Sequence, residues 1–280
     1  MHDAGQVYNI GHMSIERTGA ATVHRIYYFA AALLLLLLLG TSIPGLFWDG
    51  TYEGFIAPLH LAESQGQDLT TLFVGIPLLV IAVLLTLKRS AKGPVLWAGA
   101  AGYFLYVYLI YAYGGVYNFL FPAYLAVCGI SLFTMIGLLR AVDADDFASR
   151  IGQGMPTRVL AVFFFVVALL LTVMWGVMAI DAISSGKTAD ANVIIVTDFV
   201  IVIPAYVLTG VALLRRQVLG VVVSGVLLVQ AVTLGLSIVA GQVVAYIKGI
   251  EPVWGLGIFF LVFTAIACWL SCKYLRNIGR

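Results

Sequence analysis

The sequence predicts an all-α fold, a polytopic transmembrane bundle of eight helices arranged as a 4+4 parallel internal repeat. Three observations lead there. Of the 280 residues, 62% are hydrophobic and only 10% are charged, whereas a soluble domain carries about 25% charged residues, so the apolar content cannot be wrapped in a polar surface. Eight apolar runs, each long enough to cross a bilayer at roughly 20 residues, account with their short loops for nearly the whole chain. The basic residues fall on alternate loops, as the positive-inside rule demands.

The first run, 26–47, contains AAALLLLLLLG, similar to a signal-peptide core. Its apolar character continues from Ile43 to Trp48, no A-x-A cleavage site follows, and a polar segment precedes it, so it reads as a retained helix. The remaining runs are 68–87, 94–115, 117–140, 158–181, 193–214, 218–247 and 253–275. Gly114-Gly115-Val116 alone separates the third from the fourth, which predicts a tight helical hairpin. Counting those two as one would give seven helices and place the termini on opposite sides of the membrane. Charge decides between the counts. With eight helices and a cytoplasmic N-terminus, only Lys187 and Lys248 of the 15 basic residues fall outside. The expected location is the inner cell membrane with both termini cytoplasmic. The expected division is a cytoplasmic segment 1–25, a first four-helix half 26–140, a linker 141–157 and a second half 158–280.

Acidic residues follow the opposite trend. Asp49, Glu53, Glu63, Asp68, Asp181, Asp190, Asp198 and Glu251 lie on or near the outer face, which attracts cations and repels anions, less so in salt. The same pattern also remains if lysine and arginine are simply held inside. Asp68 and Asp181 begin or end their runs and read as interfacial.

The second run, TTLFVGIPLLVIAVLLTLKR from Thr70, aligns with the sixth, TDFVIVIPAYVLTGVALLRR from Thr197, at a constant offset of 127 residues. Pro77 then matches Pro204, and Lys88-Arg89 matches Arg215-Arg216. Such matches at one spacing predict a duplication. Four helices per half give both halves the same orientation, with a pseudo-twofold axis along the membrane normal and a site expected where the halves meet.

Within that frame the candidate substrate-binding residues are Asp198, Pro77, Pro204, Tyr103, Tyr106, Gln230 and Thr233. Each proline lacks an N–H and displaces the carbonyl four residues earlier, Phe73 or Val200, and that carbonyl needs a partner inside the bilayer. Prolines in transmembrane helices also merely shape packing. Asp198 lies several residues inside its run, where a carboxylate is costly unless paired, hydrated or protonated. The third run carries Tyr103, Tyr106, Tyr113 and Tyr117 close to one face, with Tyr108 and Tyr111 on another. Its counterpart carries Gln230 and Thr233, which match Tyr103 and Tyr106. Such groups grip a solute or bond across helices. His60 and Glu63, at i and i+3, form a weak candidate metal pair, and a solvated amphipathic surface segment is the better explanation of them.

The segment from Gly93 to Tyr124, with Tyr103, Tyr106, Tyr113, Tyr117-Asn118, Leu120-Phe121 and Tyr124, resembles an uncharacterised family of prokaryotic multi-pass membrane proteins. The resemblance covers the first half and implies no activity. Haem A synthases share the four-plus-four architecture but hold iron with intramembrane histidines, and His2, His12, His24 and His60 all lie outside the apolar runs. Microbial rhodopsins need a lysine deep in the last helix, and none is there. A Gly-rich phosphate loop, a GxSxG elbow and HExxH are missing from the sequence as well.

No cofactor and no nucleic-acid partner are expected. The expected partners are the lipid bilayer and a small solute or cation, bound or translocated between the halves. A membrane-embedded enzyme acting on a lipid or isoprenoid is the first alternative, its acidic cluster being Asp143, Asp145 and Asp146. A sensor or assembly subunit is the second.

Overall fold

The computed structural model describes residues 23–279, apart from Phe55, Asp190 and the side chains of Asp49 and Pro58. His2, His12, Arg17, Asp190 and Arg280 therefore lie outside the described residues. Among the described residues every regular element is helical. Eight spans among the described residues are long and apolar enough to cross a membrane: Arg25–Phe47, Leu59–Leu87, Lys92–Tyr113, Phe121–Ala141, Thr157–Ser185, Asn192–Leu214, Val218–Ile247 and Trp254–Arg276. Helices suit such a sequence because in hydrocarbon each backbone N–H and C=O must be satisfied within its own segment.

The helices are α1 (Arg25–Phe47), α2 (Pro58–Thr70), α3 (Ile76–Leu87), α4 (Lys92–Tyr113), α5 (Phe121–Ala141), α6 (Ala144–Ser149), α7 (Thr157–Ser185), α8 (Asn192–Thr197), α9 (Ile203–Leu214), α10 (Val218–Ile247) and α11 (Trp254–Arg276). The chain forms two compact units. One comprises residues 144–224; the other comprises residues 23–143 with 225–279.

The second span corrects the sequence reading. It does not begin at Asp68: α2 starts ten residues earlier, at Pro58, and runs on without a break. The polar stretch LHLAESQGQD is thus helix rather than external loop. Proline suits the start because its missing N–H is one of those that a helix leaves unbonded there.

Both proline-bearing spans carry one wide turn. Thr71–Gly75 and Asp198–Val202 are π-helical, and Ile76 and Ile203 donate their N–H groups to the carbonyls of Thr71 and Asp198, five residues back. Pro77 and Pro204 follow at once. Each proline could not have made an ordinary i→i−4 bond, and the wide turn absorbs the mismatch without breaking the helix. The two π-turns are 127 residues apart, and so are the helix ends beyond them. After Leu87 and Leu214 the chain turns through Arg89 and Arg216, both left-handed with φ of 56° and 55°. Ser90 donates to Leu85 O at 3.0 Å and Gln217 to Ala212 O at 2.9 Å. This is the bond that closes a Schellman cap, here with arginine where glycine is usual. One buried strip also recurs. Asp68, Thr71, Gly75, Leu79, Ala82 and Thr86 face inward on the second span, and Ile195, Asp198, Val202, Tyr206, Thr209 and Leu213 do so on the sixth.

α4 and α10 are the most buried spans, with 72% of their apolar windows buried, against 22–33% in the other six. Small residues make this possible. Gly99 lies against Val229, and Gly66 lies on the backbone of Gly241 so closely that a methyl group there would overlap main-chain atoms. Backbone cannot swing aside as a side chain can. Gly66→Ala should therefore lower stability by about 1–3 kcal/mol, whereas Gly129→Ala, with nothing within 4 Å of the added carbon, should leave it nearly unchanged. Thermal unfolding of both variants in detergent checks the contrast.

Candidate functional site

The polar residues of α2 recur at helical spacing. Ser64, Gln65, Asp68 and Thr71 share a side of the helix, and all four are buried. Asp68 lies roughly 15 Å along the helix from Pro58 at 1.5 Å per residue and is 1% exposed. Its carboxyl is met by hydroxyls. Tyr52 donates its phenolic O–H to Oδ2 at 2.6 Å, and Ser42 of α1 lies beside it. Room for the carboxyl comes from Gly45 of α1, because a side chain there would overlap Oδ2. Among the described residues no lysine or arginine pairs with Asp68.

Tyr52 sits in the connection between α1 and α2, and its ring is buried. Burial, reinforced by the neighbouring carboxyl, pushes its phenol well above the ordinary tyrosine range, so it stays a neutral donor.

The tyrosines of α4 complete the cluster. Tyr111 packs on Tyr52 with ring centroids 5.7 Å apart, and on Tyr108 and Tyr124 at 5.6 and 5.2 Å. Their hydroxyls bond outward to neighbouring helices. Tyr111 donates to Ser64 O at 3.1 Å, and Tyr103 lies 3.3 Å from Gln67 O and 3.1 Å from Thr71 Oγ1. A hydroxyl has one proton to give. If Tyr103 donates to the carbonyl, Thr71 donates to Tyr103. By the same reasoning Thr41, which bonds Leu37 O at 2.8 Å, accepts from Tyr108 at 2.5 Å. Asn118 closes the far side, donating to Thr51 O at 2.7 Å and to Tyr124 OH at 3.1 Å. Among the described residues the buried Oε1 of Gln67 has no hydrogen-bond partner.

A second buried carboxyl lies in the other unit. Asp198 opens the π-turn of its span, is 4% exposed, and accepts from Trp175 Nε1 of α7 at 2.7 Å. Tyr206 is buried within its electrostatic range. The sequence placed Asp198 inside the apolar run, and the structure buries it.

The other candidates divide. Tyr103 belongs to the Asp68 cluster and groups with Tyr108 and Tyr111, not with Tyr106, Tyr113 and Tyr117. Tyr106 is half-buried, and Tyr113 and Tyr117 are exposed. Gln230 of α10 approaches α4 opposite Gly102. Thr233 is buried and spends its hydroxyl on Val229 O at 2.9 Å within its own helix. Pro77 is exposed and Pro204 half-buried. His60 and Glu63 pair at 2.9 Å; among the described residues no group of three metal-ligating side chains forms. Asp146 is held by Arg150 through two bonds of 2.9 and 3.0 Å.

Asp68, Tyr52, Ser42, Thr41, Ser64 and Asn118 were absent from the sequence candidates. The available signal was the three-to-four-residue spacing of polar groups across a stretch that average hydropathy reads as a loop. Comparison with protein-family models, with curated proteins and with solved structures found no match to this chain.

Replacing Tyr52 by Phe removes the donor from a buried carboxyl and should cost about 1–3 kcal/mol. The cost should shrink in an Asp68→Asn background, since the two side chains act through one bond. Thermal unfolding of the four forms of this double-mutant cycle checks it; additive losses would contradict the coupling.

Proposed function

We propose that this chain is a multi-pass protein of the inner cell membrane that binds or translocates a small solute or cation through the polar core around Asp68. The observation that carries the reading is a carboxyl in a span of membrane-crossing length, buried among hydroxyls and, among the described residues, lacking a basic partner. A carboxyl in that setting exchanges its charge for a proton or shares it with a cation, and intramembrane acids mark such pathways. The phenol rings around it add faces suited to a cation.

Asp198 supports the same reading. The two carboxyls occupy neighbouring positions of one recurring buried strip, each at or just before a π-turn, a feature frequent at functional sites. The recurring strip, π-turns and arginine caps, all at one offset, also support a 4+4 duplication. Cytoplasmic termini follow from the basic residues at the ends of α3, α5, α9 and α11.

Flux of protons, sodium and potassium into proteoliposomes, followed with entrapped indicators, tests the proposal. Wild-type chain should conduct or exchange at least one of them. Asp68→Asn should cut the flux at least about ten-fold, equivalent to about 1.4 kcal/mol, and Asp198→Asn should reduce it. Pro204→Ala should slow it, and Tyr113→Phe should leave it unchanged. Full flux in both carboxyl variants, or no wild-type flux of any of the three ions, would rule out the cation pathway.

A further inference from the structure

The unit formed by residues 144–224 holds a cleft of about 430 Å³ where α7 begins and α9 ends. Pro156, Thr157, Arg158 and Val159 form one wall, and Leu214 and Arg216 contribute to the other. None of the lining residues is acidic, and among the described residues neither arginine makes an ion pair. Both side chains are exposed. The Schellman turn fixes Arg216 at the mouth, because its left-handed backbone is locked by the bonds on either side of it.

Two further observations concern what such a cleft accepts. Helix α7 is 29 residues long and starts from Pro156 with no side-chain cap, so its first N–H groups have no side-chain acceptor and its positive dipole end faces the same region. Beside the guanidinium groups, Val159 and Leu214 are 49% and 56% exposed. A soluble anion would satisfy the arginines and make no use of that apolar pair. A phospholipid would satisfy both, its phosphate taking the planar N–H groups of arginine and its glycerol and first methylenes covering the apolar pair.

We propose that this cleft binds the phosphate headgroup of an anionic phospholipid of the surrounding bilayer. The site is independent of the carboxyl cluster and stands whether or not ions cross there. Arginine at a helix end also satisfies the positive-inside rule with no ligand at all, so the control must be an arginine of that kind outside the cleft. Arg140, exposed in the last turn of α5, is such a residue.

The full chain, purified in detergent, would be titrated with phosphatidylglycerol, phosphatidylcholine and inorganic phosphate. Native mass spectrometry would count the adducts. The expected result is one phosphatidylglycerol per chain, preferred at least about ten-fold over phosphatidylcholine. That preference should be lost in Arg158→Gln/Arg216→Gln and kept in Arg140→Gln. Equal retention of the two lipids would overturn the proposal. So would an equal loss in Arg140→Gln, or binding of inorganic phosphate as tight as that of phosphatidylglycerol.

Discussion

A buried carboxyl group must find its hydrogen-bond donors within its own chain, and much of the arrangement around α2 follows from how Asp68 does so. Tyr52 donates to it from the connection after α1, which folds that connection inward and buries a phenol that would otherwise sit in water. The ring then packs against Tyr111, Tyr111 bonds the backbone of α2 at Ser64, and Gly45 keeps α1 close by carrying no side chain. Four segments thus meet at one carboxyl. Hydroxyls serve better than a lysine here, because they bond the group without bringing a second charge out of water.

The helical class and the eight spans were legible in the sequence, because hydrophobic content and basic residues at loop ends are one-dimensional signals. The 127-residue offset found the proline pair, and wide turns lie immediately before both prolines. The Asp68 cluster was not legible. Residues 59–70 average out as polar, and a polar average reads as loop; what makes them helix is the tyrosine face of α4 that receives them. That face was misassigned as well. Tyr103 sits at 0° on the helical wheel, with Tyr111 and Tyr108 about 80° and 140° on, and Tyr106 about 60° to the other side, so wheel position alone gives Tyr103 neighbours both ways. Packing chose Tyr108 and Tyr111.

Each π-turn answers to the proline that follows it. An α-helix entering Pro77 or Pro204 would leave a carbonyl without its N–H in the least forgiving solvent available, and shifting the preceding bond to the carbonyl five residues back accommodates the ring. The turn also leaves Phe73 and Val200, the residues four before each proline, pointing outward with 68% exposure each.

The buried strip shared by the two proline-bearing spans has a geometric consequence. Measured from the proline, Asp68 lies nine residues back and Asp198 six, so the two carboxyls stand on successive rungs of equivalent ladders, roughly 4.5 Å apart in height at 1.5 Å per residue. The rung that holds Asp68 in one ladder holds Ile195 in the other, and the rung of Asp198 holds Thr71. The two spans are thus alike in backbone and unlike at the level where charge resides. Each carboxyl therefore stands where its counterpart helix carries an uncharged side chain.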